Sequence, residues 1–195
     1  MSSIADRYLP VFHYAERHHI DGVVSTPALI FGAIHDDDDS RDPVLNALLK
    51  VREAPSRLLA RVGGDATLRE RERFGLKDFH VLEQRDDAIA FGLMGKFWQP
   101  NYGLTPIADA AAFTLHQEPG GAKLVMSYTL AKAGDGSFTI STETRVWCHD
   151  MRARLSFPPY WLMIRPASGW IRRRILAQLK AEAGQSFQAT QRVPG

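Results

Sequence analysis

Between residues 78 and 148, apolar and polar side chains alternate, and turn sequences divide this stretch into segments. Such alternation is typical of strands that bury one face. The glycine-containing turns at 118–121 and 133–136 connect successive strands in an antiparallel order. The pattern predicts strands over residues 78–84, 87–95, 111–118, 122–132 and 137–148, with a shorter strand around 103–108.

A strand and several short helices precede this stretch. Residues 12–24 alternate in the manner of a half-buried strand. A capping threonine and a proline, at positions 26 and 27, favour a helix over residues 28–35. The spacing of leucine and valine predicts two further short helices, over residues 43–51 and 56–62.

After residue 150 the apolar period returns to that of a helix. Ile171, Ile175 and Leu179 form one stripe of a final helix from about residue 167 to residue 183. The order of elements predicts an α+β fold in which a curved antiparallel sheet wraps around a long C-terminal helix. Because no linker or repeat divides the chain, we expect residues 1–195 to form a single domain.

Composition argues against several classes of protein. The 24 basic and 22 acidic side chains give a net charge of +2, too small to indicate a nucleic-acid partner. The single cysteine, Cys148, excludes an internal disulfide. No stretch has the length or apolar character of a signal peptide or a membrane span. We expect a cytoplasmic protein with no stable membrane insertion, and the sequence leaves its oligomeric state open.

The polar residues do not form a recognised metal or nucleophile motif. His18 and His19 are adjacent, so on a strand they point to opposite faces. The acidic run Asp36–Asp39 lacks the glycine and distal glutamate of a calcium loop, and we interpret it as solvated. Cys148 and His149 are also adjacent, so on a strand their side chains point to opposite faces and do not form a thiolate–imidazole pair. The sequence therefore predicts no metal and no cofactor, and it assigns no catalytic residue.

Glu143 and Arg145 alternate with the apolar residues of the last strand, so their environment depends on which face meets the helix. If the apolar face does, the two form a surface ion pair that contributes well under about 1 kcal/mol. With the opposite facing, they are buried in a cavity and become candidates for binding or acid–base chemistry. We favour the outer position.

The C-terminal helix is rich in cations. They are Arg165, Arg172, Arg173, Arg174 and Lys180. A helix that lies on anionic lipid presents basic residues beside an exposed apolar face. Because the apolar stripe is needed against the sheet, we interpret the basic residues as a solvated face.

Aromatic side chains give the best indication of a site. Tyr14, His18 and Tyr128 share a face with apolar neighbours, and each carries a polar atom that needs a partner when buried. We predict that they line a hydrophobic ligand pocket, with Trp98 and Trp161 near its mouth. For any one of these residues, ordinary core packing is the alternative.

Several segments, taken in order, resemble the START-like SRPBCC superfamily, in particular one bacterial branch. They are HIDGVVSTPALIF at the first strand, GLMGKFWQP and STETRV on later strands, and YWLMIRPASGWIRRRILAQLKAEA at the C-terminal helix. The resemblance covers about residues 12–184 and breaks at Asp36–Asp39 and at Pro158-Pro159. It implies a helix-grip fold, with a cavity between the sheet and the last helix that suits a hydrophobic ligand.

The resemblance leaves the function open, because that superfamily includes both lipid carriers and polyketide cyclases. The first hypothesis is a non-enzymatic binding protein for a hydrophobic small molecule or lipid. The second is a cyclase- or dehydratase-like enzyme that uses His, Tyr or Glu side chains of the cavity. The third is an interaction module whose interior is filled by side chains. No two titratable groups can be placed together from the sequence, which favours the binding protein.

Overall fold

A computed structural model describes residues 3–35, 78–99, 103–162, 165, 173, 176–178, 180 and 181. The elements in chain order are α1 (Ile4–Tyr8), β1 (Tyr14–Val23), α2 (Pro27–His35), β2 (His80–Gln84), β3 (Ala88–Gly95), α3 (Ala110–Leu115), β4 (Ala122–Lys132) and β5 (Phe138–Cys148). A further helix, α4, covers residues 151–162, and the described residues between 165 and 181 are also helical. The short helices predicted over 43–51 and 56–62, and the acidic run Asp36–Asp39, lie outside the described residues.

The five strands form one curved sheet in the order β1-β5-β4-β3-β2. Every neighbouring pair is antiparallel. The α+β class and the curved antiparallel sheet followed by a helix are therefore confirmed. Among the described strands, β1 pairs only with β5, the last strand in the chain, and Tyr14 lies opposite Val146.

One predicted strand is wrong, because residues 110–115 form helix α3. The side chain of Asp109 caps this helix by accepting a hydrogen bond from the backbone N–H of Ala112 at 2.7 Å. Three consecutive alanines follow the cap, and alanine has the highest helix propensity. In the segment predicted as a short strand, Leu104 makes only an isolated bridge to Gly95.

The sequence pattern did not predict helix α1, and it placed the start of the C-terminal helix at about residue 167, later than the start of α4. Helix α1 starts at a capping box, in which Ser3 and Asp6 exchange backbone and side-chain hydrogen bonds. Helix α4 starts directly after Asp150, whose carboxylate accepts from the N–H of Ala153 at 2.9 Å. Within the described residues, no helix is long and apolar enough to cross a membrane.

Helices cover both faces of the sheet. We call the face that packs against α2, α4 and Leu176 the inner face, and its two hydrophobic clusters lie at opposite ends of the strands. The outer face packs against α1 and α3, where Ile4, Leu9 and Phe113 meet the small residues of β3 and Val125. Successive residues of one strand therefore pack into clusters on opposite faces of the sheet.

Candidate functional site

The register of β1, β5 and β4 arranges the inner-face side chains in rows across the sheet. The four rows are Tyr14–Val146–Leu124, Glu16–Thr144–Met126, His18–Thr142–Tyr128 and Ile20–Ile140–Leu130. The first row belongs to the cluster around α4, and the last belongs to the cluster around α2. The two rows between them carry the polar side chains.

We call Glu16, His18, Thr142 and Thr144 the polar patch. The side chains of Glu16 and His18 are only 12% and 15% exposed, and both threonines are buried. The patch thus lies at the junction of the two apolar clusters, and its neighbours in the two adjacent rows are apolar or aromatic. A strand that served only to fill a core would carry valine or isoleucine at these positions.

Glu16 and His18 form a hydrogen-bonded pair. Their Oε1 and Nε2 atoms are 2.9 Å apart. A hydrogen bond to a carboxylate requires the proton on Nε2, so a neutral imidazole keeps an unprotonated nitrogen at Nδ1. The sequence analysis did not single out Glu16 as a site residue. Because Glu16 is two residues from His18, the same period that pointed His18 inward also identifies the pair.

The structure places the five predicted pocket residues in two groups. His18 and Tyr128 lie in one row, with Thr142 between them. Neighbouring strands are about 4.8 Å apart, so roughly 10 Å separates these two backbones. Tyr128 is buried and meets the ring of Phe91 edge to face, with 6.4 Å between centroids. The ring of Tyr128 therefore packs like other aromatic side chains of the core, and only its hydroxyl group sets it apart from them.

Tyr14, Trp98 and Trp161 form the second group, around the fully buried ring of Phe157. Their ring centroids lie 5.0, 5.4 and 5.9 Å from that of Phe157, respectively. Trp161 is buried, and Trp98 is partly buried. Sequence reasoning did not single out Phe157, although its spacing of four residues from both Ala153 and Trp161 is the signal of a buried helix face.

Glu143 and Arg145 lie on the outer face, but the prediction of a surface ion pair is wrong. Both are buried, because α1 covers this part of the sheet. Arg145 contacts Glu143 at 2.9 Å, Asp6 at 2.6 Å and the carbonyl of Leu9 at 3.1 Å. The pair therefore fastens the N-terminal segment and does not line the inner face.

Glu143 has two further partners, the guanidinium of Arg17 at 2.9 Å and the hydroxyl of Ser3 at 3.1 Å. Burial alone raises the pKa of Glu143, but the hydrogen bonds from Arg145 and Arg17 hold it below its ordinary value. This carboxyl is thus kept ionised, as a structural anchor requires.

Cys148 is fully buried against α4, and burial raises the pKa of its thiol to about 11. Its backbone N–H donates to Nδ1 of His13 at 2.9 Å, so that imidazole is engaged by the main chain. A thiol in this environment stays protonated and is a poor nucleophile. Among the described residues, no three His, Cys, Asp or Glu side chains are grouped to hold a metal ion.

The inner face brings apolar side chains and a group of polar side chains together. The aromatic and aliphatic rows provide apolar contacts, and the polar patch provides a carboxylate, an imidazole and hydroxyls. No protein-family model matches the chain, and a search of curated proteins finds no match either.

Proposed function

We propose that the chain is a binding protein for a hydrophobic small molecule or lipid, held between the inner face and the C-terminal helix in a helix-grip fold of the SRPBCC type. The observation that carries this proposal is the polar patch on an otherwise apolar face. Polar side chains are uncommon in protein interiors. Four of them grouped at one point of the interior are accounted for by a ligand whose polar end they bind.

The hydrogen bonds of the patch support the same proposal. Glu16 and His18 form one hydrogen bond with each other. The second carboxylate oxygen of Glu16 and Nδ1 of His18 form no hydrogen bond to another described residue. A ligand hydroxyl could donate to either atom, while its apolar body lies along the rows of Tyr14 and Ile20.

Native mass spectrometry of freshly purified protein, followed by solvent extraction, tests the proposal. We expect a reproducible apolar adduct that is released on denaturation. An adduct-free protein that also fails to bind the dye 1-anilinonaphthalene-8-sulfonate would contradict the proposal and favour an interaction module with a filled interior.

Two neighbouring histidines provide a matched pair of variants. His18→Ala removes an inner-face group, and His19→Ala removes an exposed imidazole from the opposite face of the same strand. We expect His18→Ala to weaken dye or ligand binding about tenfold, the loss of one hydrogen bond to a charged or polar group, and His19→Ala to leave it unchanged. Tyr128→Phe should give a smaller, graded loss.

The hydrogen bond between Glu16 and His18 favours one alternative, a cyclase- or dehydratase-like enzyme. A carboxylate that orients an imidazole is a common arrangement for general base catalysis. In that case the molecule that co-purifies with His18→Ala differs chemically from the one that co-purifies with the native protein, because unreacted substrate accumulates. The same molecule in both preparations supports a carrier.

We further propose a cytoplasmic location and no nucleic-acid partner. The free, buried Cys148 suits a reducing compartment. The net charge of +2 provides little electrostatic attraction for a polyanion such as DNA.

A further inference from the structure

Helix α4 has two apolar stripes on opposite sides. Ala153, Phe157 and Trp161 are spaced by four residues and pack against the sheet. Met151, Leu155 and Leu162 point the other way and are 61%, 72% and 68% exposed. At 3.6 residues per turn, these three side chains lie within about 40° of one another around the helix axis. They form an exposed ridge, which we call the apolar ridge.

A ridge of this kind is unusual on a protein that functions alone in water. Single exposed leucines are common, but aligned apolar side chains on one helix indicate a contact surface. The apolar stripe that the sheet needs is already provided by the opposite side of α4. The apolar ridge is therefore available for something outside the described part of the chain.

Arginines flank the apolar ridge on both sides. Arg152 lies on one side, Arg154 and Arg165 lie on the other, and all three are exposed. The sequence from residue 151 to residue 180 contains seven basic residues and no acidic residue. The apolar ridge and its flanks therefore combine an apolar contact surface with positive charge.

We propose that α4 docks on an anionic lipid surface, with the apolar ridge at the boundary between headgroups and acyl chains and the arginines on lipid phosphates. Charge complementarity and the narrowness of the ridge favour a bilayer. Three side chains on one helix do not supply the roughly 800 Å² that each partner contributes to a standard protein interface. The helix would lie in the plane of the membrane surface. This docking is independent of whether the inner face holds a ligand.

Vesicle co-sedimentation tests the docking. The probes are vesicles of phosphatidylcholine alone and vesicles of phosphatidylcholine and phosphatidylglycerol in equal amounts. We expect the native protein to sediment with the anionic vesicles, to remain in solution with the neutral ones, and to dissociate at high salt, where charges are screened within a few ångströms. Failure to bind the anionic vesicles at low salt overturns the proposal.

Two pairs of variants separate the apolar and the charged contributions. The double variant Leu155→Ser with Leu162→Ser should reduce partitioning into anionic vesicles at least about tenfold. The matched control is Leu115→Ser, which removes a leucine that is 79% exposed on α3. Arg152→Ala with Arg154→Ala should reduce partitioning about fivefold per arginine. Lys132→Ala, at the exposed end of β4, is its charge control and should have little effect.

All of the substituted side chains are exposed, so thermal melting should show that the variants remain folded. Vesicle binding that the α4 variants and the controls lower equally would place the contact elsewhere and overturn the proposal. It is also overturned if the leucine variants convert a self-associated native protein into monomers while vesicle binding persists, because a second copy of the chain then covers the ridge.

Discussion

The surroundings of Arg145 are unusual for a residue of a sheet. Arg145 is 4% exposed, and its guanidinium contacts two carboxylates and a backbone carbonyl. The face of the ring of Phe12 lies 4.7 Å from it. Removing one member of a buried ionic cluster leaves the others without compensation, which is more damaging than the loss of an exposed pair.

We therefore expect Arg145→Met to lower the free energy of unfolding by about 3 kcal/mol, because Glu143 and Asp6 lose their shared partner. Arg17→Met is the matched control. Arg17 also binds Glu143, but its side chain is 64% exposed, so its loss should cost about 1 kcal/mol or less. Urea denaturation measures both values, and equal losses would show that burial of Arg145 contributes nothing.

Cys148 gives a second prediction for a single side chain. Burial keeps the thiol protonated and inaccessible. We expect no reaction of the native protein with Ellman's reagent at pH 8 on a timescale of minutes, and release of one thiol per chain after denaturation in guanidinium. Rapid reaction of the native protein would show that the cluster around α4 opens readily.

Among the helices, α1 depends on side-chain contacts because it is only five residues long. Besides the cluster at Arg145, it is tied to β2 through Glu83. That carboxylate accepts hydrogen bonds from Tyr8 at 2.7 Å, Arg7 at 2.8 Å and Arg85 at 2.6 Å. A short helix gains little from its own backbone hydrogen bonds, so these contacts hold it on the sheet.

The contacts of Glu83 make the attachment of α1 sensitive to acid. The hydrogen bond from Arg85, with those from Tyr8 and Arg7, lowers the pKa of Glu83 to about 2 although burial opposes the shift. Since the folded state binds this proton less readily than the unfolded state, its stabilisation is complete above about pH 4.5 and is lost as pH falls toward 2. We expect thermal melting between pH 5 and pH 2 to decline less steeply in Glu83→Gln. An unchanged slope would contradict this.

Phe157 is the largest side chain of α4 that is fully buried. We expect Phe157→Ala to lower the free energy of unfolding by about 3–5 kcal/mol, because it empties the centre of the aromatic cluster. Leu155→Ala, on the exposed side of the same helix, should change it by about 0.5 kcal/mol at most. Chemical denaturation with near-ultraviolet circular dichroism measures both. Similar effects would mean that α4 does not lie with Phe157 inward.

The sequence predicted those elements that are defined by short-range patterns of apolar and turn residues. The residues of strands β2 to β5 alternate, and turn sequences at 85–86, 118–121 and 133–136 lie between predicted strands, so the positions of β2 to β5 were predicted to within about two residues of the structure. Helix α3 was mistaken for a strand because Phe113 and Leu115 mimic alternation. The burial of Arg145 could not be predicted, since it is caused by a helix more than a hundred residues earlier in the chain. His18 and Tyr128 were identified because each lies on the same strand face as its apolar neighbours. That they lie in one row across the sheet depends on the register of the paired strands, which only the structure shows.

At the scale of the whole molecule, the sheet separates two environments. The outer face is closed by short helices and a buried ionic cluster. The inner face carries the polar patch between two apolar clusters, and the helix that packs on it presents a second apolar stripe outward. A ligand on the inner face and a lipid surface at α4 would therefore be separated by the thickness of one helix.

The pairing of β1 with β5 has a consequence for how the chain acquires its structure. Tyr14 lies opposite Val146, 132 residues later. At a synthesis rate of about 5–20 residues per second, β1 leaves the ribosome about 7–26 s before its partner strand exists. During that interval Tyr14, Ile20 and the polar patch residues on β1 lack the one strand with which β1 pairs in the described part of the chain. Completion of the sheet is thus a late event, and a product truncated before β5 would leave β1 without its partner among the described strands and available for aggregation.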